Sequence, residues 1–168
     1  MKGESYVTLN ERMRRNPYSA DILMILTGGA TALVVSLYIF ILFFLFISRD
    51  FRIVLITCPP LAGFILLTLL RSGLNMKRPY EKYDIIPLIE KKTAGNSFPS
   101  RHVFSAFVIG VSLIPISLPL SVIIILSGVV IAICRVLSGV HFIVDVVFGA
   151  AFGTAFSLVF VILYFINH

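Results

Sequence analysis

Apolar residues in this chain gather into long runs that short polar segments separate. Residues 22–48, 53–70, 103–134 and 146–168 hold no Lys, Arg, Asp or Glu, giving uncharged stretches of 27, 18, 32 and 23 residues. A helix that crosses a bilayer needs about 20 predominantly apolar residues, within a range of roughly 17–25. The pattern predicts an all-α integral membrane helical bundle of about five transmembrane helices. Residues 1–20 are polar and basic, and residues 9–25 are loosely amphipathic until Thr27-Gly28-Gly29 interrupts them. An N-terminal interfacial segment over 1–27 is expected, then a first span over about 28–48. The turn Arg49-Asp50-Phe51-Arg52 leads to a second span over about 53–70. This span is expected to bend at Pro59-Pro60, because proline removes a backbone donor and clashes with the preceding turn. The 32-residue run is too long for one crossing, and Pro115-Ile116-Ser117-Leu118-Pro119 divides it into spans over about 103–117 and 119–134. At about 16 residues each these are short, roughly 24 Å against about 30 Å of hydrocarbon. The last span is expected over about 141–167.

Composition sharpens the class. Of the 168 residues 58% are hydrophobic and 13% charged, about half the usual charged share of roughly 25%. That excludes a soluble domain, a disordered chain and a nucleic-acid partner. The net charge of +6 reads as membrane topology, because the charges are stranded between apolar spans. The length suits a single membrane-embedded domain over 1–168. No cleavable signal peptide is expected, since the N-terminus is polar and the first apolar run too long. Cys58 and Cys134 fall at different depths of different spans and are not expected to pair. Gly149-Ala150-Ala151-Phe152-Gly153 has the small-xxx-small spacing that lets helices approach closely. Counting spans puts the N-terminus, the 71–102 loop and the 135–141 turn on one face, with 12 Lys and Arg against 2 on the other.

The few polar residues of the C-terminal half carry the chemistry. Between 103 and 168 the formal charges are Arg135 and Asp145, with His141 between them. An ionisable group at mid-helix costs roughly 2.5–3.5 kcal/mol on insertion scales, so three within eleven positions need a reason. His141 and Asp145 are four apart, which puts them on one face of the last helix. An aspartate so placed fixes the imidazole tautomer and leaves the other nitrogen to act. A structural Arg–Asp pair with His141 as bystander fits this segment equally well. The long loop favours chemistry. It holds Arg71, Lys77, Arg78, Lys82, Lys91, Lys92 and Arg101 and ends in Pro99-Ser100-Arg101-His102. Lys82, Lys91 and Lys92 suit a solvated, headgroup-facing surface. Arg71, Arg78 and Arg101 abut span ends and can converge with Arg135, an arrangement suited to phosphate, which guanidinium binds in bidentate fashion. Lys77 is a further candidate. Ser100 and the backbone N–H groups that open the third helix add anion donors. Two histidines suggest one to attack phosphorus and one to protonate the leaving oxygen.

These blocks resemble the type 2 phosphatidic acid phosphatase superfamily of lipid phosphatases, whose relatives include the vanadium haloperoxidases. The family pattern is Lys-x6-Arg-Pro, then Pro-Ser-Gly-His, then Ser-Arg-x5-His-x3-Asp. The chain has Arg71-x6-Arg78-Pro79, Pro99-Ser100-Arg101-His102 and Cys134-Arg135-x5-His141-x3-Asp145, in that order. The resemblance implies that His141 is the nucleophile, oriented by Asp145. It implies that His102 is the general acid and then the base, and that Arg71, Arg78, Ser100 and Arg135 hold the phosphate oxygens, with Arg101 beside them. The departures are Arg71 for Lys, Arg101 for Gly and Cys134 for Ser, and five spans are expected here where the family usually has six.

The expected function is a metal-independent lipid-phosphate phosphatase, in a multi-pass cell-membrane protein, that hydrolyses a phosphomonoester or diphosphate of a membrane lipid through a phosphohistidine intermediate. No cofactor is implied; the partners are a membrane lipid phosphate and the bilayer. An undecaprenyl diphosphate phosphatase is an alternative, as is a non-catalytic lipid-phosphate binder or flippase. A Ser-His-Asp hydrolase built from Ser100, His102 and Asp145 would leave four arginines unexplained. Without Arg71, Arg78, Arg101 and Arg135 the Lys and Arg bias is still 8 against 2, which favours a cytoplasmic site, whereas the resemblance favours an extracytoplasmic one.

Overall fold

A computed structural model describes residues 3–89 and 94–167, all of whose regular structure is helical. Lys2, Lys91, Lys92 and His168 lie outside the described residues. The helices are α1 (Gly3–Arg14), α2 (Ser19–Ile47), α3 (Ile53–Leu74), α4 (Pro79–Tyr83), α5 (Arg101–Ser112), α6 (Leu118–Leu137) and α7 (Ile143–Asn167). Four segments are long and apolar enough to cross a membrane: α2, α3 with its continuation into α4, α6 and α7. The fifth apolar helix, α5, has 12 residues and spans about 18 Å, too short to cross alone.

Several boundaries differ from those the sequence suggests, each for a physical reason. The segment before residue 28 is not one interfacial stretch. It forms α1, a turn, and the first turns of α2, which runs through Gly28 and Gly29 without a break. Away from water an internally bonded helix has no competitor for its backbone groups, so glycine interrupts it little. α3 runs past Arg71 to Leu74, because that guanidinium finds carbonyl partners in the following loop. Its left-handed C-cap is Asn75, at φ 39°. The third and fourth apolar segments are not equally short. α5 ends at Ser112, ahead of Pro115, while α6 takes in Pro119 in its first turn and extends through Arg135 to Leu137, about 30 Å. The last helix begins at Ile143, so His141 precedes it.

Pro59 and Pro60 stay inside α3. Pro60 cannot donate to the carbonyl of Ile56 one turn earlier, and Tyr38 of α2 does so instead, its hydroxyl donating to Ile56 O at 3.0 Å. A sequence defect in one helix is thus repaired by its neighbour.

Short α5 forms the axis of the bundle and packs against α2, α3, α6 and α7. Val103 and Phe104 are fully buried, and Ala106, Val108 and Leu113 nearly so. Two glycines set how closely α7 lies against it. A Cβ on Gly149 would stand 2.8 Å from Ser100 O, and one on Gly153 2.8 Å from Phe104 O. The two backbones touch, as the small-xxx-small spacing leads one to expect. Lower down, the Ser112 and Ser157 hydroxyls meet at 2.6 Å. Phe40, Phe43, Phe44 and Phe46 of α2 face outward as part of the lipid-facing surface.

Gly153→Ala is expected to lower stability by about 1–3 kcal/mol, the usual cost of overpacking, because its methyl group meets a carbonyl. Gly28→Ala is expected to lose nothing, since a Cβ there meets no atom within 4 Å. Thermal unfolding in detergent compares them; equal effects would contradict the α5–α7 contact.

Candidate active site

The site forms where α3, the 75–100 loop, the start of α5, the end of α6 and the start of α7 come together. The loop's course is set by backbone bonds to charged side chains. Arg78 is the N-cap of α4, and the sequence Arg78-Pro79-Tyr80-Glu81 makes a capping box in which Glu81 accepts the Arg78 N–H at 2.8 Å. The same carboxylate accepts the Gly95 N–H at 2.9 and 3.0 Å, which draws the returning strand of the loop against α4. Gly95 sits at φ 67°, and a Cβ there would stand 2.4 Å from Asn75 Oδ1, so glycine is required twice over.

Arg71 and Arg78 clasp this strand. Arg71 donates to the carbonyls of Asn96, Ser97 and Pro99. Arg78 donates to Gly95 O at 3.0 Å and to Asn96 O and Val140 O at 3.4 Å. Both guanidiniums are buried, so the carbonyls replace lost hydration. The two arginines expected to hold phosphate therefore also build the loop that closes the site.

His141 and Asp145 meet, but through a helix-start geometry and not as neighbours on a helix face. Asp145 lies in the first turn of α7 and its carboxylate turns back to accept the Phe142 N–H at 3.0 Å. The same Oδ2 lies 3.2 Å from His141 Nδ1 and accepts the Ser97 hydroxyl. His141 is further held by its own N–H, which donates to Arg135 O at 3.1 Å. Gly139, at φ 74°, makes the turn between α6 and this segment possible. His141 and Asp145 are both almost fully buried, at 1% and 3% exposure.

Ser100 is the N-cap of α5 and fully buried, yet its hydroxyl caps nothing and has no partner among the described residues. Its N–H donates to Asp145 O at 3.0 Å, which fixes the end of α5 against α7. Arg135, half-buried at the end of α6, likewise has its Nε without a partner. An unmet hydroxyl at the N-terminus of α5 and an unmet guanidinium donor at the end of α6 are groups suited to an anion with several oxygens. His102 is half-buried in the first turn of α5; Arg101 beside it is exposed. Lys77 is exposed and lines a cleft with Tyr6, Lys82 and Asp145. Lys82 covers the rings of Tyr83 and Phe142, its Nζ 5.7 and 5.9 Å from their centroids. Cys134 is buried and, like Cys58, unpaired.

Three contributors escape a reading of the sequence. Ser97 is an ordinary loop serine until the fold sets it against Asp145. Glu81 had a legible signal in the Pro-x-Glu spacing of a helix start. Tyr6 had none. It lies on α1, where its hydroxyl accepts the Ile143 N–H at 2.9 Å and its ring meets that of Phe142 edge-on at 5.2 Å. Burial pushes the Tyr6 phenol above its ordinary pKa of 10, so it is neutral at physiological pH, and α1 braces the start of α7.

The model of the PAP2 superfamily matches residues 54–168. The crystal structure of LpxE from Aquifex aeolicus is similar, with a TM-score of 0.73 and 25% identity over 94% of this chain and 93% of that one. So is that of a transmembrane PAP2-type phosphatidylglycerolphosphate phosphatase from Bacillus subtilis, with a TM-score of 0.71 and 20% identity over 94% and 83%. No curated protein matches the sequence significantly.

Inorganic phosphate is expected to raise the unfolding temperature of the purified protein, in line with about 2.7 kcal/mol at a hundredfold excess over Kd. Arg135→Ala should lose most of that protection and Lys82→Ala keep it. Full protection of Arg135→Ala would contradict the assignment of the anion site.

Proposed function

The chain belongs to the PAP2 superfamily and is a membrane phosphatase, and from that premise we propose that it hydrolyses a lipid phosphate through a phosphohistidine on His141. The observation that carries this reading is the buried contact between His141 Nδ1 and Asp145 Oδ2, at 3.2 Å. With Nδ1 directed to the carboxylate, Nε2 is the nitrogen that presents its lone pair to phosphorus. Nε2 bonds to phosphorus as the bond to the lipid oxygen breaks; that oxygen keeps the electron pair and takes a proton from His102. Water then attacks the phosphohistidine, giving its proton to His102, and inorganic phosphate leaves. Ser100, Arg71, Arg78, Arg135 and the backbone N–H groups that open α5 stabilise the charge on the equatorial oxygens. Asp145 holds the imidazolium as it forms, and Ser97 and Phe142 N–H hold Asp145.

Nothing in this sequence of steps needs a metal. The carboxylates at the site, Asp145 and Glu81, are already engaged by His141, Ser97 and backbone N–H groups. The half-buried His102, which lines an apolar-walled cavity with Val34, Phe64 and Ile131, suits a phosphate still attached to its lipid. Following the family resemblance and against the charge bias, we place this face outside the cytoplasm. A cysteine at Lys82, introduced in a Cys58→Ser background, should react with a membrane-impermeant maleimide on intact cells; reaction only after permeabilisation would reverse the orientation.

His141→Ala is expected to reduce phosphate release from lipid phosphates by at least about a thousandfold while the variant still inserts and unfolds cooperatively. The wild type should keep its activity in EDTA and be inhibited by vanadate. Activity surviving in His141→Ala, or strict dependence on an added divalent metal, would overturn the mechanism.

A further inference from the structure

α5 opens on an arginine. The aligned peptide dipoles make that end of a helix positive, a cation there is disfavoured, and no acidic residue stands in the first turn to offset it. No carboxylate among the described residues forms an ion pair with Arg101, although its side chain is exposed and could turn elsewhere. A residue that opposes its local surroundings in each of these ways marks a place where a ligand supplies the missing charge.

The cleft around Arg101 says which part of the ligand that is. Arg101 and His102 open onto a cavity of about 320 Å³ whose other walls include Val34, Phe64 and Ile131 from α2, α3 and α6. Thr31 reaches the same cavity, and its buried hydroxyl has no partner among the described residues. His102 is the group that protonates the leaving oxygen in the function proposed above, on which this inference rests. The cavity it shares with Arg101 is therefore the leaving-group side. A lipid monophosphate leaves as a neutral alcohol and has no use for a cation there. A lipid diphosphate leaves as a lipid monophosphate, whose charge does.

We propose that Arg101 is a specificity-determining residue that holds the lipid-proximal phosphate of a diphosphate substrate, and that the protein prefers lipid diphosphates to lipid monophosphates. In that reaction His141 Nε2 bonds to the terminal phosphorus and the bond from that phosphorus to the bridging oxygen breaks. The bridging oxygen keeps the electron pair and receives the His102 proton, so the lipid monophosphate departs past Arg101. Water releases inorganic phosphate from His141 in the second step.

The test compares kcat/KM for farnesyl diphosphate and farnesyl monophosphate, using the full chain in detergent micelles, for the wild type, Arg101→Ala, Arg101→Gln and Arg101→Lys. The wild type should favour the diphosphate. The diphosphate-to-monophosphate ratio should fall about tenfold or more in Arg101→Ala and Arg101→Gln, the scale of one lost charge-assisted hydrogen bond, and recover in part in Arg101→Lys. Glutamine keeps the length and polarity of the side chain, so a folding defect in the alanine variant leaves the comparison intact. An unchanged ratio, or equal losses on both substrates, would overturn the role of Arg101 while leaving the phosphatase reading standing. A wild type that hydrolyses neither substrate would overturn that reading and this inference with it.

Discussion

The structure turns on one buried carboxylate. Asp145 sits where an unpaired charge would be costly by several kcal/mol, and it is kept there by the Ser97 hydroxyl, the Phe142 N–H and the His141 imidazole. The donors come from two parts of the fold, Ser97 from the long loop and His141 and Phe142 from the turn between α6 and α7. The backbone of Asp145 adds a fourth tie by accepting the Ser100 N–H that fixes the start of α5. Satisfying this carboxylate therefore brings the loop, the central helix and the two C-terminal helices to one point, and that point is where we propose the anion binds.

The two interior arginines solve a related problem from the other side. Arg71 and Arg78 bring buried charge into the bundle, and the loop at residues 95–99 gives them carbonyls. These bonds, Glu81 and the packing of Phe98 on Phe148 set the course of the loop. Short α5 makes the same economy of means possible in the membrane. Its N-terminus opens inside the bundle, and the close approach of Gly149 and Gly153 locks it against α7. A helix of about 18 Å can present its backbone donors at the site and still be buried along most of its length.

Much of this was legible in the sequence. Scarcity of charge gave the class, and the isolated Arg135, His141 and Asp145 drew attention to the segment that holds the pair. The helix boundaries are less legible, because a charge at the edge of an apolar run suggests an end. α3 and α6 both run past an arginine, since a charge that finds partners in the fold does not terminate a helix. Ser97 and Tyr6 left no trace, since they act across 48 and 137 positions of sequence through single hydrogen bonds that follow no period. The contact between His141 and Asp145 was anticipated for a different reason from the one observed: the aspartate reaches back from the first turn of α7 to a residue that precedes the helix.

The central claim is that Asp145 orients His141 so that Nε2 attacks phosphorus. Rapid acid-free quenching of the full chain during turnover of a lipid phosphate labelled with phosphorus-32, followed by peptide mapping, tests it most directly. The account predicts an alkali-stable, acid-labile phosphoryl group on Nε2 of His141. Label on Nδ1 of His141, on His102 or on a serine would contradict it.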